Sequence, residues 1–214
     1  MLTRLGAWCG VLAGLAIAVP GLIEAFTGES APTSFVLGLS PALAVPLLTV
    51  LHLRHATAAG PFGAVAYTVN AVGLGLFGGA AFTLNLALFF LDDAVVAELL
   101  RGPTMVALLG SALVFAAGAV LFGVAMLRAG IHARIPAVAY LVAFPVLAVA
   151  ARLPDTPVTS LVHVVAGGSL VWLSFGAVQR GDGRIPGEPR PVTAGSPGTV
   201  RNRAPGCRAG RRRG

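Results

Sequence analysis

The sequence predicts an all-α fold: a polytopic transmembrane helical bundle of about six spans over residues 1–178, followed by a disordered basic tail over 179–214. Three observations carry this. Of the 214 residues, 56% are hydrophobic and only 11% charged, with mean hydropathy +0.85, which is too little charge to cover a soluble domain. The charges cluster and leave long uncharged runs between them, as membrane spans do. No strand-like alternation competes, and a helix satisfies its own backbone groups in lipid.

The apolar runs are residues 5–26, 33–53, 62–91, 104–127, 135–151 and 157–178. Most approach the ~20 residues needed to cross a ~30 Å hydrocarbon core. The run 62–91 would extend about 45 Å as a helix, so it must tilt or protrude. The run 135–151 is short and carries Pro136 and Pro145. Pro20-Gly21 and Pro46 are expected to kink the first two spans. Gly6, Gly10 and Gly14 recur every four residues, as do Gly75 and Gly79. Such spacing lets helix backbones approach closely, within a bundle or between copies. Between the third and fourth runs, "DDAVVAELLR" reads as a short surface helix with acids at its start and Arg101 at its end, as the helix dipole favours.

Arginine placement predicts the threading. All 15 basic residues are arginine, which together with abundant Ala, Gly and Pro points to a GC-rich bacterial genome. Arg4, Arg54, Arg128, Arg134 and the nine arginines of the tail fall on one side; Arg101 and Arg152 face the other, with Glu24, Glu29, Asp92, Asp93, Glu98 and Asp155 near that end. Both termini are therefore expected in the cytoplasm of a bacterial plasma membrane. Trp8, Tyr67 and Tyr140 are expected near the cytoplasmic interface, where amphipathic rings are favoured. The first 21 residues also resemble a signal peptide, with Ala16-Ile17-Ala18 as a cleavage site. The apolar run continues past it to Phe26, which favours an uncleaved anchor.

The tail is rich in Pro and Gly and has no aromatics, so it cannot bury a core. Its arginines are expected to rest on anionic lipid headgroups. Nucleic acid is not expected as a partner, because no rings are interleaved for base stacking. The lipid bilayer is the primary partner, with a second copy of the chain or another membrane protein as further candidates.

Ionisable groups inside spans are costly and so become functional candidates. Three polar residues fall in the outer half of the predicted bilayer: Glu24, Asn85 and His163. If spans 1, 3 and 6 are neighbours, they could share one hydrogen-bonded cluster. The functional reading is a proton relay or a small polar-ligand site; the structural reading is interhelical bonding worth about 1 kcal/mol per contact. The residues alone favour the structural reading.

The remaining chemistry is narrowed by exclusion. His52 and His55 flank Arg54 with no carboxylate or third histidine nearby in sequence, which is a thin basis for metal. His163 has no companion at its depth for haem. Ser111 lacks the glycine usual after a membrane protease nucleophile, and no phosphate-binding loop occurs. Cys9 and Cys207 form no framework. No catalytic residue, metal or cofactor is expected.

The segment "LFGVAMLRAGIHARIPAVAYLVAFPVL", Leu121 to Leu147, resembles uncharacterised small multi-pass integral membrane proteins of actinobacterial type. In those, a span commonly ends in an Arg-Ala-Gly turn, followed by Pro-Arg-aromatic and another apolar helix. Arg128, Ala129, Gly130 and Arg134 match, whereas Ala133 and Ile135 stand where proline and an aromatic are usual. The resemblance implies a bacterial plasma-membrane protein and carries no site residue. The leading expectation is a non-enzymatic structural or accessory membrane component. A small-solute or proton-coupled transporter or channel, with Glu24, Asn85 and His163 as an outward polar cluster, comes second, and a membrane-embedded enzyme third.

Overall fold

The computed structural model describes residues 1–150 and 156–179, and these are helical with no strand among them. The tail from 180 onward and residues 151–155 lie outside the described residues, as do the predictions that fall on them. The helices are α1 (Leu2–Thr27), α2 (Ala31–Phe82), α3 (Asp93–Leu99), α4 (Pro103–Ala129), α5 (Arg134–Ala150) and α6 (Pro157–Gln179). A π-helical turn, Thr83–Ala87, and a 3-10 turn, Leu88–Phe90, extend α2. Leu2–Thr27, Ala31–Phe90, Pro103–Ala129 and Pro157–Val178 are each long and apolar enough to cross a membrane, while Arg134–Val149 is a shorter apolar helix.

α2 covers two of the predicted runs and doubles back at Gly60. There φ is +57° and ψ −151°, a region that essentially only glycine occupies. The limbs on either side, 31–59 and 61–82, pack antiparallel. A Cβ on Gly78 would lie 3.2 Å from Pro41 Cβ, and the Thr49 and Tyr67 hydroxyls are 3.2 Å apart. By contrast, α1 runs through Pro20, and the first limb of α2 through Pro41 and Pro46, with helical φ/ψ. Exchanging Gly60 for Ala is expected to cost about 1–3 kcal/mol, read as a lowered melting temperature in detergent. An unchanged melting point would mean that the reversal needs no glycine.

The packing forms a closed up-and-down ring. Setting aside the short α3, helices adjacent in sequence are adjacent in space, and α6 returns to α1. Glycines set the contacts. Ideal Cβ atoms at Gly6 and Gly10 would fall 2.5 Å from Val50 and 2.3 Å from Ser174 Oγ. Gly73 and Gly118 bring the second limb against α4, where added Cβ atoms would reach backbone at 2.6 and 2.5 Å. Gly123 sits the same way on Leu141 of α5. Gly75 and Gly79 meet nothing within 4 Å, so this second stripe is not used inside the bundle.

Caps fix the helix starts near Thr27. The Ser30 N–H donates to Thr33 Oγ1 at 3.0 Å, and the Thr156 N–H to Thr159 Oγ1 at 2.8 Å. Such boxes satisfy donors that a helix leaves open. At the opposite end Gly130 closes α4 in a left-handed conformation, φ +66°, as a helix C-terminus favours. There the Arg54 guanidinium donates to Ala177 O of α6, and Arg128 stands over the Phe62 ring at 5.0 Å, a cation–π contact.

The middle of the ring is apolar. Leu47, Leu51, Phe115, Phe144 and Leu170 fill it, each 6% exposed or less. They surround a void of about 20 Å³ lined wholly by apolar and aromatic side chains, the kind of space that stays dry despite room for a water. Outward faces are apolar too: Leu12, Val65, Leu113 and Val142 are each more than half exposed. In water such a surface would aggregate.

Candidate functional site

Toward the Thr27 end, the ring opens into a cavity of about 770 Å³. Its walls carry Glu24, Asn85 and His163, the three residues singled out by the sequence, with Ser40 and Thr159 beside them. Leu74, Phe77, Phe115 and Phe144 supply apolar wall on the side of the buried core. The exposed side chains of Glu29 and Asp93 stand at the rim.

Each polar group is placed by its own helix. Glu24 lies on the last turns of α1 and is 6% exposed. His163 lies on α6 against Gly21 of α1, where an added Cβ would fall 2.4 Å from His163 Cβ. That glycine lets the imidazole occupy the α1–α6 seam. Its Nδ1–H donates to Thr159 O at 2.9 Å. Asn85 belongs to the π-helical turn and donates from Nδ2 to Ala81 O at 2.9 Å. Nearby, Thr83 Oγ1 donates to Gly79 O at 2.8 Å. Side chains that return to carbonyls four residues back compete with the helical ladder and perturb it, and π turns recur at functional sites.

The three residues therefore share a cavity. The hydrogen bonds seen at Asn85 and His163 run to their own helices, where the sequence suggested one bonded cluster between spans. The second limb of α2 packs on its first limb and on α4, and α1 packs on the first limb and on α6. In that ring, spans 1 and 3 lie on either side of span 2, the first limb of α2.

No family model matches the chain, and neither does any curated protein or solved structure.

A second polar cluster lies at the opposite end of the core, and sequence reasoning missed it. His55 is fully buried, and its Nδ1 is 3.2 Å from His132 Nε2. His52 stacks on Tyr67 with ring centroids 4.3 Å apart. Asn70, also fully buried, donates from Nδ2 to Tyr140 Oη at 2.7 Å. The third histidine absent from the sequence neighbourhood of His52 and His55 thus arrives from the α4–α5 turn. Even so, no group of three or more His, Cys, Asp or Glu among the described residues is disposed to hold a metal ion.

This cluster corrects one expectation. Tyr140 is 5% exposed and bonds inside the bundle, so its ring packs into the core and does not lie on the outer surface of the helices. Its position seven residues into α5 was legible; its Asn70 partner, seventy residues away in the chain, was not. Trp8 does remain 61% exposed.

The helix predicted over "DDAVVAELLR" is α3. Arg101 pairs with Glu98 at 3.0 Å, and Val96 and Leu100 turn toward the cavity. Chemically, the large site offers carboxylate, amide and imidazole groups over an apolar wall, which suits binding an amphipathic molecule. The hydroxyls of Ser40 and Ser111 donate to carbonyls of their own helices, Leu37 O and Ala107 O.

Proposed function

We propose that this chain is a six-span protein of a bacterial cytoplasmic membrane, with both termini inside, that receives a small amphipathic solute from the outer side as part of transport. The two limbs of α2 count as separate spans, and α5, though short, completes the set. The single observation that carries the reading is the 770 Å³ cavity whose walls bear Glu24, Asn85 and His163. Its size falls within the roughly 300–1,000 Å³ of small-molecule sites. An accessory component has no need of such a space, so the cavity supports solute handling over the accessory role that the residues alone favoured. The apolar layer around Leu47, Phe115 and Leu170 closes the bundle beneath the cavity, as an outward-facing state of a carrier requires.

The threading follows the arginines. Arg4, Arg54, Arg128 and Arg134 gather at one end of the ring, while the acids Glu24, Glu29, Asp92, Asp93 and Glu98 gather at the cavity end. The test combines topology and access. In a chain with Cys9 and Cys207 replaced by serine, Ala81→Cys on the cavity wall is expected to react with a membrane-impermeant maleimide added to intact cells. A reporter fused after Gly214 is expected to be active only in the cytoplasm. Labelling confined to inverted vesicles, or a reporter active outside, would reject the outward-open reading.

A further inference from the structure

The cavity has a sign as well as a size. Among the described residues, the charged side chains that line it are Glu24, Glu29 and Asp93, and none is an arginine. The balance of the surrounding end has the same sign. There the sequence places six acids, Glu24, Glu29, Asp92, Asp93, Glu98 and Asp155, against Arg101 and Arg152 alone. Arg101 is already engaged by Glu98 on the exposed face of α3. A pairing of Arg152 with any one acid would still leave an excess of carboxylates. Clefts lined by one sign of charge between low-dielectric walls concentrate ligands of the opposite sign.

The inner wall points to the same class of ligand. Phe77, Phe115 and Phe144 line it; Phe115 and Phe144 are buried and packed on one another and on Phe77, so the half-buried Phe77 is the ring with surface left for a ligand. Aromatic faces carry negative potential and attract cations, most strongly weakly hydrated ones. A compact inorganic ion is a poor match, because the carboxylates do not converge as a ligand set. An anion would meet the rim carboxylates of Glu29 and Asp93 on entry.

Building on the solute-handling reading above, we propose that the ligand class is the monovalent organic cation with an apolar body, such as a substituted ammonium or phosphonium. The body lies along the aromatic and aliphatic wall, and the charge sits among Glu24, Glu29 and Asp93.

The test uses two ions of one shape and opposite charge, tetraphenylphosphonium and tetraphenylborate. Retention by the full chain in lipid nanodiscs is measured above that of empty discs. The phosphonium is expected to bind saturably and the borate not to bind. Glu24→Gln is expected to weaken phosphonium binding about tenfold, the scale of one short-range charge contact in a partly screened site. Should Glu24→Gln fail to fold, the exposed rim pair Glu29→Gln and Asp93→Asn together are expected to weaken it about threefold by the weaker attraction of exposed charges. Ala112→Trp, which places an indole in the cavity, is expected to weaken the binding of whichever ion binds.

Equal or tighter borate binding that weakens in Ala112→Trp would overturn the cation assignment while sparing the cavity reading. Phosphonium affinity unchanged in the neutralised variants would do the same. Saturable binding of neither ion would overturn both.

Discussion

Exchange of Gly14 or Gly167 for alanine is expected to cost the bundle about 3 kcal/mol, enough to lose most of the monodisperse folded protein. The two glycines form one reciprocal contact at the α1–α6 seam, where the ring closes. A Cβ built on Gly14 falls 2.5 Å from Gly167 O, and one built on Gly167 falls 2.3 Å from Gly14 O. Both obstacles are backbone, so no rotamer change can relieve them and the helices must separate. Separation in lipid forfeits packing that no hydrophobic force restores, because the acyl chains are as apolar as the helix faces. It also moves His163 away from Gly21, on the same seam. Gly75→Ala is the matched control: it is also helical, but its Cβ would meet nothing within 4 Å. There alanine is expected to be neutral or slightly stabilising through its better helix propensity. Melting temperature and size-exclusion profile in detergent read the contrast. Comparable damage at Gly14 and Gly75 would refute the ring closure.

Tyr140→Phe is expected to destabilise the bundle by about 2 kcal/mol although it removes a single oxygen. Asn70 is fully buried and its Nδ2 donates to that oxygen at 2.7 Å. Asn70 Oδ1 is already buried without a hydrogen-bond partner, so the variant would leave the whole amide unsatisfied in an apolar core. Gly118 holds α4 against the Asn70 backbone, where an added Cβ would lie 2.5 Å from Asn70 Cα, so the amide has little freedom to find another partner. Replacing both partners with apolar groups, as Asn70→Leu with Tyr140→Phe, is expected to recover most of the loss, because the penalty comes from stranding one group. Coupling of this kind in membrane bundles averages about 0.6 kcal/mol and reaches about 1.7. Chemical unfolding of the two single variants and the double variant measures it. A double variant that loses the full sum of the single losses would show that the pair is not coupled.

The apolar runs were legible because hydrophobic length is a local property. The run 104–127 became Pro103–Ala129, and 157–178 became Pro157–Gln179. The short helix of "DDAVVAELLR" was legible through its charges and became Asp93–Leu99. Glu24, Asn85 and His163 stood out because a polar group in an apolar run is conspicuous without knowledge of the fold. The histidine and Asn70–Tyr140 cluster did not stand out. His52 and His55 looked like a pair without a third member until the α4–α5 turn brought His132 across 77 residues of chain.

By itself, the sequence determined that the chain is helical and apolar, where the helices run, and which end gathers arginine. Each of these follows from residue type and spacing along a few turns. Tertiary structure decided which glycines touch and which stand clear, that Gly60 folds α2 back on itself, and that three distant polar residues line one cavity. Those outcomes depend on how six helix faces meet around a ring, and helices of nearly uniform apolarity carry little information on which face will turn inward.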